Sequence, residues 1–331
     1  MDKPVIEVKH LKTYFVSDRG TIPAVDDVSF TINKGEVLGI VGESGCGKSV
    51  TSLSIMGLLP QPPAQIKGGE ILFRKRGSDE KKPENLLSLS KRRLRQMRGN
   101  DIAMIFQEPM TSLDPLYSIG AQLTEAIKNH QPMSKNARIQ KAISMLKLVG
   151  IPRAEEVIYD YPHQLSGGMR QRVMIAMAMA CDPEVLIADE PTTALDVTIQ
   201  AQILSLMKTL NQTEKTAILF ITHDLGVVAD ICHRVIVMYA GKIVEQGDVR
   251  SILKAPKHPY TRGLIRSLPK LAEKQKRLFS IPGNVPKPGS VQQGCLFAER
   301  CEEVRDDCLK DEPKLISLGD DHHCRCFLYH K

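Results

Sequence analysis

Apolar and polar residues alternate over residues 4–8 and again over 25–32, and the turn Asn33-Lys34-Gly35 then leads into the largely apolar stretch 36–41. The first two patterns predict antiparallel strands and the third a buried strand. An apolar helix is predicted at 50–59, and a short strand-like stretch at 70–73 gives way to a polar surface loop over 74–83. Further buried-type strands are read at 102–106, 185–188 and 217–221. From 115 to 180 the reading is helical. There Ser134 can cap a helix whose Ile139, Ala142, Ile143, Leu146 and Val149 keep one face, and Gly150 with Pro152 ends it. Ala194-Leu195-Asp196 starts another helix, with Ile199, Ile203, Leu206 and Leu210 on one side. Residues 235–239 and 242–245 flank Ala240-Gly241 as a closing hairpin. Short apolar strands separated by helices predict an α/β fold of the doubly wound kind, in which ligands bind at the carboxyl ends of the strands.

Composition sets limits on this picture. At 331 residues, 42% of them hydrophobic, the chain can form one large domain, or a domain and an appendage, with a real core. The longest apolar runs, 173–181 and 217–221, fall far short of the roughly 20 residues of a membrane span. The start Met1-Asp2-Lys3-Pro4 leads into no apolar stretch of the secretory kind, so a cytoplasmic chain without disulfides is expected. The net charge of +7 is mild. Its densest patch, Lys91-Arg92-Arg93-Leu94-Arg95-Gln96-Met97-Arg98, has no interleaved aromatic residues, which favours a solvated helix face over a nucleic-acid groove and leaves contact with anionic lipid open.

Candidate chemistry begins at residues 42–49, G-E-S-G-C-G-K-S, which fit the phosphate-loop pattern G-x-x-x-x-G-K-[ST] between a strand and a helix. Glycines let the backbone wrap a polyphosphate, with N–H groups and a helix N-terminus facing the anion. Lys48 would reach the terminal phosphates and Ser49 would offer its hydroxyl to Mg²⁺. Tyr14 and Phe15 lie in the first connection, where either ring could stack on adenine or plug the core. Gln107 ends a buried strand, where its amide could reach a metal-bound water. Ser166-Gly167-Gly168 opens a helix, either as a second anion site or as a plain N-cap. Asp189 and Glu190 stand where a buried strand meets solvent; carboxylates there are costly unless they bind something. Mg²⁺ held through water by Asp189, and an attacking water polarised by Glu190, are the natural partners. The strand 217–221 delivers Thr222-His223-Asp224 to the same carboxyl edge, where His223 could donate to a γ-phosphate.

Taken in order, these motifs make residues 5 to about 250 resemble the nucleotide-binding subunits of ATP-binding-cassette transporters. The resemblance rests on the phosphate loop, Gln107, Leu165-Ser166-Gly167-Gly168, Asp189-Glu190, Ala194-Leu195-Asp196 and His223. It implies a P-loop core with an antiparallel β subdomain and a helical subdomain at about 108–180. In that arrangement Phe15 is the adenine-stacking aromatic, with Tyr14 the fallback. Gly42, Glu43, Ser44, Gly45, Cys46, Gly47, Lys48, Ser49 and Val50 bind ATP. Ser49, Gln107 and Asp189 serve Mg²⁺, while Lys48, Gln107, Glu190 and His223 act in hydrolysis. Two such subunits dimerise head to tail, so Ser166, Gly167 and Gly168 would complete the ATP site of a partner. Met169 stands where the family often has Gln, and Thr193 where it often has Ser; neither change removes a proposed catalytic group.

The remaining stretch, 251–331, narrows the resemblance to dipeptide and oligopeptide importers. It carries His258-Pro259-Tyr260-Thr261, Ile281-Pro282-Gly283-Asn284-Val285-Pro286, Gly294-Cys295-Leu296-Phe297 and Arg300-Cys301. Such an importer implies a second, homologous ATPase, two membrane permeases and an external peptide-binding protein. The chain would then sit at the cytoplasmic face of the membrane, with no nucleic-acid partner. Nickel- or glutathione-type cargo is the alternative within the class. A soluble cassette ATPase of DNA repair or translation is the alternative outside it, and usually has two cassettes or a long coiled coil, both lacking here. Cysteines cluster in this tail, at 295, 301, 308, 324 and 326. So many thiols in a short segment suggest a metal centre. The gaps of five and six residues between the first three are wider than zinc pairs use and fit a four-iron cluster better. The importer tail resembles a site whose last Cys precedes an aromatic residue or His, which selects Cys295, Cys301, Cys308 and Cys326 for a [4Fe-4S] cluster of structural role. Cys324, His322, His323 and a zinc ion remain as alternatives.

Overall fold

The computed structural model describes residues 3–18, 20–75, 82–107, 112–193, 195–268, 279–286, 289–290 and 293–330. Most of the expected polar loop (76–81), the start of the helical subdomain expected at about 108–180 (108–111) and Ala194 lie outside the described residues. In chain order the strands are β1 Ile6–Ser17, β2 Gly20–Ile32, β3 Val37–Val41, β4 Ala64–Phe73, β5 Glu84–Asn85, β6 Ile102–Ile105, β7 Val185–Asp189, β8 Ala217–Ile221, β9 Arg234–Tyr239, β10 Lys242–Asp248, β11 Ile316–Ser317 and β12 His323–Cys324. The helices that matter here are α1 Lys48–Met56, α2 Ile119–His130, α3 Lys135–Leu148, α4 Gly167–Met179, α5 Val197–Glu214, α6 Val249–Lys254 and α7 Pro259–Arg266. Among the described residues no helix is long and apolar enough to cross a membrane.

The chain divides into two compact units. The first comprises Met1–Ile6, Ile32–Val37 and Leu72–Ile221. Its centre is β7, parallel to β6 on one side and to β8 on the other, with Ile102 opposite Val185 and Val185 opposite Ala217. β7 and β8 are buried along their whole length. That explains why they read as unbroken apolar runs rather than as alternation. The helical stretch folds as α2, α3 and α4 packed on one another, with α4 also against β6. Ser118, Ser134 and Ser166 cap these three helices, each hydroxyl accepting the N–H of the third residue on. Asp196 does the same for α5, in agreement with the expected start.

The second unit comprises Glu7–Thr31, Leu38–Ile71 and Thr222–Lys331. Here β1 lies between β2 and β4. It runs well past the stretch 4–8 read from the sequence and carries Tyr14 and Phe15, which are strand residues and not part of a connection. The cause is a change of parity. Val8 and then Leu11 and Thr13 are buried, and the break falls at His10, which has φ 48°. On β2 the break falls at Asp27, φ 60°, between Val25 and Val28. The two residues bond each other, His10 Nδ1 to Asp27 Oδ1 at 2.7 Å. A strict period of two cannot follow a strand through such a kink.

In the same unit β3 and β9 are parallel, and β9 and β10 form the expected hairpin about Ala240 (φ 44°) and Gly241 (φ 86°). Two successive positive φ values are what a tight hairpin turn needs. The tail returns to this sheet: β12 pairs antiparallel with β10, Glu245 opposite Cys324, and β11 pairs with β12. The carboxylate of Glu245, with no exposed surface, accepts the backbone N–H groups of Lys257 and His258 and faces His322 Nε2 at 2.7 Å. These contacts fix the start of α7 to β10.

Candidate functional site

Residues 42–47 leave the buried strand β3 and enter α1 through Gly47, whose φ of 104° only glycine adopts without strain. A Cβ at Gly47 would lie 2.5 Å from the Ala24 carbonyl oxygen, and one at Gly42 would lie 2.3 Å from that of Met238. The loop is therefore pressed against its own unit on one side, while Ser44 and Gly45 at its crest are exposed. Cys46 points inward with no exposed surface, and burial pushes its thiol pKa up, so it is a protonated packing residue. The Lys48 ammonium is buried and folds back, donating to the carbonyls of Gly42 at 2.8 Å and Glu43 at 3.1 Å. Ser49 and Val50, next on α1, are half-buried. Within the same unit Thr222 donates its N–H to the Ile40 carbonyl at 3.2 Å, and exposed His223 follows it. Both aromatic candidates are half-buried. The Tyr14 hydroxyl donates to Asp26 at 2.8 Å, and burial first and that carboxylate second push its pKa up to about 12. Its ring is thus tethered through a polar bond, while Phe15 on the opposite strand face carries no such group.

In the other unit Asp189 ends β7 and is buried, and Glu190 turns out of the strand with φ 48°. That conformation is strained for a non-glycine residue and is held in place by the Glu190 N–H bond to the Ile221 carbonyl at 2.9 Å. The turn aims the Glu190 carboxylate at two donors. Gln107 Nε2 reaches its Oε2 at 3.2 Å, and the Thr193 hydroxyl reaches the same oxygen at 3.0 Å. The amide of Gln107, expected near a metal-bound water, is thus engaged with Glu190. Thr193 entered the sequence reading only as a departure from the family pattern. Its position three residues beyond Glu190, across a tight turn, was the available signal.

Ser166 caps α4 by accepting the Met169 N–H at 3.3 Å, so the plain N-cap reading of Ser166-Gly167-Gly168 holds. Ser166 and Gly167 are also exposed, and a Cβ at Gly167 would meet nothing, so the helix N-terminus is open to a ligand. Gly168 is tighter, with a Cβ there 3.2 Å from Ile199.

All eight cysteines are free thiols, and Cys46, Cys181 and Cys232 are buried and scattered. The tail gathers the others. Cys295 N–H donates to the Cys308 carbonyl at 2.8 Å, and the Glu303 N–H points at Cys301 Sγ at 3.4 Å. Burial pushes the Cys295 thiol up to about 11, and Cys308, Cys326 and Cys301 add to the effect in that order. Burial likewise raises Cys326, and Cys301 and Cys308 add to it. These four thiols therefore lie within electrostatic reach of one another. The Cys324 backbone pairs with Glu245 on β10, while His322 is taken by Glu245 and His323 by the Asp321 carbonyl. Among the described residues no group of three or more His, Cys, Asp or Glu side chains is arranged to hold a metal ion.

A glycine-rich loop opening a helix, and a carboxylate at the end of a buried parallel strand, are the parts that a phosphate-loop ATPase uses. The comparisons agree. The family model described as "ABC transporter" matches residues 25–193, and that described as "Oligopeptide/dipeptide transporter, C-terminal region" matches 244–308. The chain is 50% identical to the oligopeptide transport ATP-binding protein AppD of Bacillus subtilis, covering 98% of this chain and 97% of that one. It is 49% identical to the dipeptide transport ATP-binding protein DppD of Escherichia coli, covering 97% and 96%. Among solved structures, the dimeric bacterial ABC transporter cassette MJ0796 superposes with a TM-score of 0.64 at 28% identity, over 74% of this chain and 99% of that one. The chain belongs to the ABC transporter family, as an ATP-binding subunit of the oligopeptide/dipeptide class whose ATPase activity is coupled to transport.

Proposed function

We propose that this chain binds ATP on residues 42–50, with Phe15 against the adenine, and hydrolyses it with Glu190 as the base that takes the proton of the attacking water, so driving import of di- or oligopeptides. The observation that carries this reading is the Glu190 carboxylate, held in a strained turn by Gln107 and Thr193 at a strand end. A base so fixed costs no reorganisation when the water attacks. Lys48, once released from the carbonyls of Gly42 and Glu43, neutralises phosphate charge, and His223 donates to the γ-phosphate. Ser49, Gln107 and Asp189 are oxygen donors of the hard type that Mg²⁺ takes, and the ion would neutralise the β- and γ-phosphates.

Ser166, Gly167 and Gly168 act on ATP held by a second, homologous ATPase chain. The exposed helix N-terminus supports this, as does the dimeric state named for MJ0796. The permease partners find support in an apolar surface on the helical stretch. There Leu116 is 80% and Tyr159 70% exposed, and Tyr159 lines a groove of about 300 Å³ with Ser118, Ala121, Arg138 and Ile139. Docking there would keep the chain peripheral, on the cytoplasmic face of the membrane, where an external binding protein delivers the peptide.

Cys295, Cys301, Cys308 and Cys326 hold a [4Fe-4S] cluster. A single ion needs ligands converging on one point, whereas each thiolate of a four-iron cluster takes a different iron. The Cys295 N–H bond to the Cys308 carbonyl, which holds the chain segments of two of these cysteines together, supports the set. The cluster staples a tail poor in apolar side chains.

Glu190→Gln tests the central assignment. In the assembled transporter it should keep ATP binding and lower turnover by about a hundredfold to ten-thousandfold, the range of a lost general base. Near-normal hydrolysis would remove Glu190 from that role.

A further inference from the structure

Four tail motifs that the hydrolytic scheme leaves without a task converge on one residue of the phosphate loop, Glu43. The Arg300 guanidinium, 4% exposed, forks onto both Glu43 carboxylate oxygens at 2.7 and 3.0 Å. Its other contacts fix it. Nε donates to the Pro282 carbonyl at 2.9 Å, and the terminal nitrogens also reach the Tyr239 hydroxyl at 3.3 Å and the Ile281 carbonyl at 3.5 Å. The Tyr260 hydroxyl accepts the Glu43 N–H at 2.9 Å. Behind these groups Tyr239, Tyr260 and Phe297 pack ring against ring, with centroids 4.7 to 5.4 Å apart. Tyr260, Pro282, Phe297 and Arg300 thus each come from a different one of the four motifs.

On its other side Glu43 gives its carbonyl to Lys48. The tail therefore grips the amide and carboxylate of the residue that Lys48 grips by the carbonyl. The electrostatic consequence is direct. A carboxylate in a loop that must accept a polyphosphate repels it, and a buried bidentate guanidinium cancels that charge while holding the side chain in one place. We infer that Arg300 is a positioning residue for ATP binding, which acts through Glu43 by neutralising its carboxylate and ordering the loop beneath Lys48. The inference rests on the reading of residues 42–50 as the ATP site.

Equilibrium dialysis of labelled ATP against the purified full-length chain tests it, with KM and kcat measured in the assembled transporter. Arg300→Met should weaken ATP binding about tenfold and raise KM for ATP with kcat changed far less, as lost binding common to ground and transition states does. The diagnostic result is rescue: Glu43→Gln in the Arg300→Met background should restore affinity to within about threefold of the original, because the unpaired carboxylate is gone. A merely structural role for Arg300 would leave the double variant as weak as the single one, and that result would overturn the inference. So would unchanged affinity in a folded Arg300→Met chain. If Arg300→Met does not fold, Tyr260→Phe, which keeps the ring and removes only the acceptor for the Glu43 N–H, should weaken binding about twofold to threefold through loop disorder; no change would again overturn it. Lys48→Ala separates the two readings, since wild-type affinity there would remove the ATP site itself.

Discussion

Gln171, on the helix that Ser166 caps, donates its side-chain amide to the carbonyl of Pro191 at 2.6 Å, and both residues are buried. Pro191 directly follows Glu190, so one side chain ties the helix of the Ser-Gly-Gly motif to the strand end that bears the proposed base. Gln171→Leu would leave a buried carbonyl without its partner, at a cost of about 1–3 kcal/mol. Thermal unfolding of the purified chain should show a lower midpoint, and the transporter should lose kcat with little change in KM for ATP. An unaltered midpoint would mean that the contact contributes nothing.

Ser166→Arg places a bulky cation at an exposed helix N-terminus proposed to face another subunit's nucleotide. Hydrolysis of that nucleotide should fall by about a hundredfold, on the order of a lost oxyanion-type donor. Loss of the cap would itself cost about 1 kcal/mol, so Ser166→Asp, which keeps a capping oxygen while adding negative charge, is the informative companion. Photo-crosslinking labelled ATP to the second ATPase reads the effect where it should occur. Cleavage there at the normal rate in both variants would exclude the head-to-tail arrangement.

Protein purified without oxygen should be brown, with absorbance at about 400 nm from thiolate-to-iron charge transfer. Cys295→Ser should bleach it, whereas Cys324→Ser should not, since the proposed set omits Cys324, whose backbone pairs with Glu245 on β10. A colourless preparation with one equivalent of zinc and no iron would replace the cluster with the zinc reading.

Acid should loosen the tail through His258. Burial holds this imidazole down at about 4; Glu245 pulls it back up, while the Arg262 charge pushes it down. Its Nδ1 accepts the Tyr260 N–H at 3.1 Å, which requires an unprotonated nitrogen. The folded pKa lies below the ordinary value of 6.5, so the unfolded chain binds more protons between those two values. The stabilisation is complete above pH 6.5 and is lost as pH falls towards 4, by about 3 kcal/mol at most. Urea unfolding of the full chain from pH 7 to 4.5 should show this slope, and His258→Asn, which retains a capping oxygen, should flatten it. Equal slopes in the two proteins would assign the acid sensitivity to other groups.

Much of this molecule is determined locally. The phosphate loop, the buried runs of β3, β7 and β8, the serine and aspartate caps, and the hairpin about Ala240-Gly241 each follow from residues a few positions apart, where periodicity, φ preference and capping chemistry act. The spacing of the tail cysteines is likewise a property of one short segment. What tertiary structure alone decided lies in contacts between residues distant in the chain. The parity changes at His10 and Asp27 hide part of two strands from a period-of-two reading, and the two residues bond across those strands. Gln107 meets Glu190 from 83 positions away, and Arg300 meets Glu43 from 257. No period or composition encodes such a pair, since the free energy of a buried ion pair or hydrogen bond depends on desolvation and geometry that exist only once the backbone has brought both groups to one place.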